Sequence, residues 1–299
     1  MPGTARGTVR GKVCGTLSLG LVFGLVLTGC ASAHDDGRKE PPAQVPNIRD
    51  INTFTLPLDA YQQSPADRQA VRLATTTLVT RCLHGLGVKA DILDPRPTPF
   101  QQNARRYGIT DEARAKTYGY SAPEISKRSP RPDLPKPVQE VAFGRTKQVH
   151  GKKVPEGGCT ADAERRLDSG APARPARMIA GQLGVVTLER ASKDSRVKAA
   201  FGKWSACMRT AGHPYSTPTQ IMRDKRFVDG REHRVTKLEI DTALADVRCK
   251  KSANLINVWA GVETAYQRLA VAQNKAALSV EQRLLATRRA NAAKVNEER

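Results

Sequence analysis

Two segments of this chain repeat one arrangement. Cys82 stands in Thr-Arg-Cys82-Leu-His-Gly-Leu-Gly87 and Cys207 in Ser-Ala-Cys207-Met-Arg-Thr-Ala-Gly212, each late in an amphipathic run and five residues before a glycine. Amphipathic runs that stop at glycine read as helix ends, so both cysteines are expected at equivalent places on two helices. Two further cysteines, Cys159 and Cys249, lie in or beside other helical segments. A duplicated unit of helix, cysteine and glycine, then a connector, then cysteine and helix, pairs Cys82 with Cys159 and Cys207 with Cys249. Of the chain's six cysteines, Cys14 and Cys30 fall in the N-terminal segment, and the remaining four permit three connectivities in principle. Each bridge would add roughly 4 kcal/mol by loop-closure entropy, which matters in a chain only 5% aromatic. A zinc site is the sharper alternative, but the chain has no C-x-x-C and no Cys/His pair at ligand spacing, so no metal ligands are assigned.

Whether thiols pair depends on the compartment. Arg6, Arg10 and Lys12 precede an apolar run over 17–27 that is too short to span a bilayer, and it closes on Leu27-Thr28-Gly29-Cys30. This stretch resembles the bacterial lipobox, L-[AST]-[GA]-C. The resemblance implies diacylglycerol transfer to the Cys30 sulfur, cleavage before Cys30, and a lipid-anchored protein on the extracytoplasmic face of the cell membrane. The plainer alternatives are an ordinary signal peptide and an uncleaved anchor. With the lipobox, the two Cys-(Leu/Met)-x-x-x-Gly segments and a final charged helix, the chain is similar in type to the small membrane lipoproteins of actinobacteria, high-GC Gram-positive bacteria. That likeness implies no particular activity and carries over no site residues.

Loss of residues 1–29 removes three basic residues and no acidic one, leaving 270 residues and a net charge of +17 out of the whole chain's +20. Such basicity ordinarily raises the question of nucleic acid. An exported protein instead meets phospholipid headgroups and anionic wall polymers, drawn by the same long-range field. Arg outnumbers Lys by 31 to 18, so part of the charge reflects the composition of a GC-rich genome.

The expected fold is mainly α: a disulfide-stapled helical domain with a proline-rich irregular insertion and a long C-terminal helix or helical hairpin. Residues 1–29 read as a lipoprotein signal peptide, 30–57 as a flexible tether, and 58–299 as the helical extracytoplasmic domain, with 91–175 as the insertion. Ser64-Pro65-Ala66-Asp67 opens the first helix. More than half of the prolines fall in 91–175 and forbid long elements there, leaving room for a helical turn after Thr110 and a strand over 138–143. Ser195 is expected to cap a helix carrying Val197, Ala200, Phe201, Trp204, Cys207 and Met208 on one face. Capping boxes open at Thr217 and Thr236. Few breakers follow Thr236, so a long helix with a hinge near Ser279 is expected, and 282–299, poor in large apolar residues, reads as frayed or projecting into solvent. No alternating βαβ pattern appears.

Chemistry is sparse. Ser195-Arg-Val-Lys198 matches the Ser-x-x-Lys of penicillin-binding enzymes but lacks the companion Ser-Asp-Asn and Lys-Thr-Gly motifs. His34, His84, His150, His213 and His233 are not spaced as ligands. Trp204, Trp259, Tyr61, Tyr215 and Tyr266 could stack on sugars, although helical spacing makes core packing the better reading for both tryptophans. Arg105-Arg106, Lys152-Lys153, Arg165-Arg166, Lys250-Lys251 and Arg288-Arg289 could touch phosphate or line solvated faces. The sequence therefore points to a non-enzymatic interaction or accessory protein of the cell envelope without cofactor, holding an envelope protein partner. The alternative is a binding module for an anionic cell-wall polymer or small solute; a wall hydrolase is the weakest of the three readings.

Overall fold

Capping chemistry sets the helix boundaries. In the computed structural model, which describes residues 39–92, 94–97, 101–121, 133–228 and 234–299, helix α1 spans Pro65–Gly85. The Ser64 hydroxyl accepts the Asp67 N–H at 3.0 Å, and proline presets the first helical φ. The signal segment, Cys30, His34 and His233 lie outside the described residues. Between 91 and 175 no described helix exceeds ten residues: α2 is Glu112–Tyr118, α3 Lys136–Ala142 and α4 Gly158–Leu167. Residues 138–143 are not the expected strand. They belong largely to α3, because a proline in its first turn suits a helix and Val138, Val141 and Ala142 bury one face at i, i+3 and i+4. A minimal antiparallel pair joins β1 (Gln148–Val149) to β2 (Lys152–Lys153).

The second half contains α5 (Ile179–Lys193), α6 (Ser195–Thr210), α7 (Pro218–Ile221), α8 (Lys225–Val228), α9 (Lys237–Ser252), α10 (Leu255–Gln273) and α11 (Lys275–Glu297). The cap of α6 is Asp194 rather than Ser195. The Asp194 carboxylate accepts the Arg196 N–H at 3.0 Å, while the Ser195 N–H and hydroxyl both donate to Glu40 at 2.6 Å. Thr236 caps α9 as expected, its hydroxyl accepting the Glu239 N–H at 3.2 Å. The reciprocal bond is missing, because the buried Glu239 carboxylate accepts the Tyr120 N–H at 2.9 Å instead. Past Thr236 the chain breaks twice, at Asn254, whose φ of 50° is left-handed, and at Asn274. Ser279, the expected hinge, lies inside α11.

Nor does the C-terminal segment project into solvent. Ala292 is fully buried, Val295 packs beside it, Asn296 donates to the Ala70 carbonyl at 3.0 Å and Arg81 pairs with Glu298 at 3.1 Å. Small residues let α11 lie close along α1, which a search for large apolar side chains overlooks.

Glu40–Arg299 forms one compact unit with two main cores. One is aromatic: Phe201 and Trp204 of α6, Trp259 of α10, Tyr107 and Phe227. Phe201 meets the Trp259 ring edge-on, with centroids 5.0 Å apart. The other is aliphatic, made by Val71, Ala74, Leu78 and Leu83 of α1, Val138 and Val141 of α3, Ala163 and Leu167 of α4, and Ala292.

Each core holds one disulfide, Cys82–Cys159 in the aliphatic core and Cys207–Cys249 in the aromatic one, with Cα atoms 5.6 Å apart in both. The glycine five residues on from Cys82 and Cys207 has a local cause. Gly87 and Gly212 sit at φ of 81° and 83° just past their helices. In each case the following N–H reaches back across the turn, Val88 to the Leu83 carbonyl at 2.9 Å and His213 to that of Met208 at 2.8 Å. These are Schellman caps, with a buried Leu83 or Met208 beneath them and the cysteine one residue earlier. The likeness ends there, since Cys159 opens α4 whereas Cys249 lies in the last turn of α9.

Residues 40–57, expected as part of the tether, belong instead to the compact unit that begins at Glu40. Residues 40–54 form a strap. Ile51 is buried in the aromatic core, with Ala43, Ile48 and Phe54 packed around it. The Ile48 N–H donates to Asn257 Oδ1 at 3.1 Å, and Arg196 donates to the Pro41 carbonyl at 2.9 Å. Gly261 of α10 is needed beneath the strap, since a Cβ there would collide with the Gln44 carbonyl and the Pro46 ring.

Candidate binding cleft

Most of the candidate chemistry is spent inside the fold. Arg106 Nε donates to both oxygens of the buried Glu263 at 2.9 and 3.0 Å, and its Nη2 donates to the Gly184 carbonyl at 2.7 Å. Tyr107 and Gln267 complete the carboxylate's shell at 2.9 and 2.7 Å. Burial alone would lower the Arg106 pKa, but bonding and charge from Glu263 outweigh it and the net shift is upward. Burial first, and then the Glu263 charge, push the Tyr107 hydroxyl far above the usual phenol range, so it acts as a neutral donor.

Of the other basic pairs, Lys250 and Arg288 are buried. Lys250 is buried against Asp246 at 2.8 Å and donates to the Ile109 carbonyl at 3.0 Å, while Asp246 also accepts Trp204 Nε1 at 2.9 Å. Arg288 bonds Asp168 and Glu164, and burial opposing its charge is outweighed by these two carboxylates. Arg165 and Arg166 share Asp162, Arg105 donates to the Tyr120 carbonyl at 2.6 Å, and Lys152 donates to the Gly85 carbonyl at 2.7 Å. Trp204 and Trp259 are core residues with 0% and 3% exposure, closed to a sugar ring.

Ser195 and Lys198 are exposed, and the serine's donors are held by Glu40. His84 faces Asp91 at 3.1 Å, His150 Nδ1 lies 3.3 Å from the Leu86 carbonyl and His213 Nδ1 lies 3.1 Å from Thr242 Oγ1. Among the described residues, no group of three His, Cys, Asp or Glu side chains is arranged to hold a metal ion.

A different set of residues comes together where the strap, the loop before α2 and the α9–α10 junction meet. A cleft of about 540 Å³ opens there, and a neighbouring hollow of about 390 Å³ shares Ile51, Asn52, Thr110 and Asp111 with it. Its walls are pinned from behind. Asn257 holds the strap through the Ile48 N–H. Lys250 holds the loop through the Ile109 carbonyl, an approach that Gly108, at φ 84°, leaves open because a Cβ there would crowd Nζ. The two lining carboxylates are committed locally: Asp50 accepts the Asn52 N–H at 2.9 Å and its side-chain amide at 2.8 Å, and Asp111 accepts the Arg114 N–H at 3.0 Å as the cap of α2.

The lining cations Arg49 and Lys251 meet no hydrogen-bonding or ionic partner among the described residues. Sequence reasoning named Lys251 only within a basic pair, and missed Asn47, Arg49, Asn52, Thr110 and Asn254. The amides and arginine of 47–52 were the available signal, obscured by a stretch that reads as tether. Comparison with protein-family models, curated proteins and solved structures finds no match.

Proposed function

We propose that the chain is a lipid-anchored extracytoplasmic protein of the cell envelope that acts by binding rather than by catalysis. The observation that carries this reading is the sequence Leu27-Thr28-Gly29-Cys30 after a short basic and apolar segment. Nine residues separate Cys30 from Glu40, a reach of at most about 35 Å. Lipid chains at Cys30 would hold the body beside the headgroups, with about 0.8 kcal/mol per buried methylene for anchoring. Among the described residues no helix is long and apolar enough to cross a membrane. The absence of family motifs for nucleophile, base or metal at the sequence level supports a non-enzymatic role, and the internal pairing of the charged residues is in keeping with it.

The deciding experiment compares wild type with Cys30→Ala in membrane fractions and culture medium. Wild type is expected in membranes with lipid mass on Cys30, and the variant released. Equal membrane retention without lipid mass contradicts the reading.

Within it, two kinds of partner compete. An accessory role on an envelope protein draws on the anchor, the lack of catalytic motifs and a C-terminal helix open to a partner; α11 is packed along α1, which weakens the last of these. The pinned polar cleft with two unpaired cations favours a binding module for an anionic ligand, a wall polymer or a small solute.

A further inference from the structure

We infer that the cleft between the strap and the α9–α10 junction binds a phosphorylated polyol, through Arg49 and Lys251 at the phosphate and amide side chains at the hydroxyls. The inference rests on the binding reading above and supplies its site and ligand class.

The first argument is charge. Asp50 and Asp111 line the same cleft and keep their charge, but their oxygens accept hydrogen bonds from their own turns, whereas Arg49 and Lys251, both exposed, meet no partner among the described residues. Arg106, Lys250 and Arg288 each face a carboxylate; Arg49 and Lys251, exposed on one cleft without such a partner among the described residues, are placed to meet phosphate oxygens. Arg offers a planar fork and Lys a point charge, a combination suited to a tetrahedral anion.

The second argument is the remaining lining. Asn254 accepts the Asn257 amide at 2.7 Å, which leaves its own NH₂ available, and Asn52 donates to Asp50, which leaves its carbonyl oxygen available. Asn47 and Thr110 add uncommitted amide and hydroxyl groups. Mixed donors and acceptors of this kind match hydroxyls, which both give and accept hydrogen bonds. Among the described residues no Trp, Tyr or Phe lines the cleft, so these residues give a neutral sugar no stacking surface. The volume, about 540 Å³ with a further 390 Å³ alongside, accommodates one or two polyol phosphate units.

The test is a calorimetric titration of the full lipid-anchored protein in neutral detergent with glycerol 3-phosphate, inorganic phosphate and glycerol, beside retention on purified anionic cell-wall polymer. Glycerol 3-phosphate is expected to bind, inorganic phosphate at least fivefold more weakly, and glycerol not measurably. Arg49→Gln with Lys251→Gln should weaken glycerol 3-phosphate at least tenfold at unchanged Tm, and Lys203→Gln, an exposed residue on α6, should not. Equal binding by the double variant, or by inorganic phosphate, overturns the inference. If wild type and double variant are both retained on the polymer, the binding reading stands and this cleft is not its site. Failure of wild type both to be retained on the polymer and to bind glycerol 3-phosphate removes the binding reading itself.

Discussion

The two stapled cores solve one problem with different materials. The Cys207–Cys249 core has five aromatic side chains and a buried network in which Glu263, Arg106, Tyr107 and Gln267 satisfy one another. The Cys82–Cys159 core has no aromatic side chain among the described residues, and its polar contact is buried Arg288 paired with the partly exposed Glu164 and Asp168. It is made of Val, Leu and Ala on helices that are short apart from α1 and α11. Large aromatic side chains bury more surface per residue, so the first core depends less on its bridge. The second, set amid the proline-rich stretch, relies on a cross-link over 77 residues and on the arrival of the last helix. A disulfide at the same cap position thus supports one core and completes the other.

The largest expected effect comes from deleting 275–299. Loss of α11 uncovers the aliphatic core along α1, and hydrogen exchange should show α1 and α4 losing protection while α6, α9 and α10 keep theirs. Unchanged protection in α1 would abolish the distinction between the cores.

Removing the bridges sharpens it. Loop-closure entropy assigns about 4.5 kcal/mol to Cys82–Cys159 and about 4 kcal/mol to Cys207–Cys249, from separations of 77 and 42 residues. Cys82→Ala with Cys159→Ala should therefore unfold the aliphatic core first on heating, and Cys207→Ala with Cys249→Ala should leave a cooperative transition. The reverse order in calorimetry contradicts the account.

Glu263→Ala tests the aromatic core's polar network. It leaves Arg106 facing an uncompensated pocket at a cost of about 3–5 kcal/mol, read from the denaturant midpoint. A loss below about 1 kcal/mol would mean that the network stabilises little.

The smallest effect concerns the junction of α5 and α6. Burial disfavours ionisation of Asp194, but bonds and charge from Arg196 outweigh it and hold the carboxyl below the usual carboxylate range. A folded-state pKa below the unfolded value of about 3.9 stabilises above that pH, and the contribution is lost as pH falls through it. Asp194→Asn keeps a capping group and should cost under about 1 kcal/mol at neutral pH. Its Tm should fall less steeply than that of wild type between pH 5 and 3; parallel slopes would contradict the assignment.

What could be read in advance was mostly local. Ser64 and Thr236 announce their helices because capping depends on residues three apart. The cysteine pairing follows from two matching Cys-to-Gly segments, although their physical basis is a shared cap rather than a duplicated fold. Helix α5 was missed because it buries Ala180, Gly184, Thr187 and Ala191 while Val185 and Val186 face outward, the inverse of an ordinary amphipathic signal. The strap was unreadable for a related reason. It is held by backbone approach over Gly261 and by single bonds to Asn257 and Arg196, none of which leaves a period in the sequence. Since the cleft is formed by that strap, its residues were legible only as tether.

The most direct test of the central claim, two separately stapled cores carried on a lipid anchor, is non-reducing peptide mass spectrometry of the protein taken from the membranes of cells that produce it. The account predicts bridges Cys82–Cys159 and Cys207–Cys249, lipid mass on Cys30 and no free thiol in the body. A crossed pairing, a free body thiol or an unmodified Cys30 would contradict it.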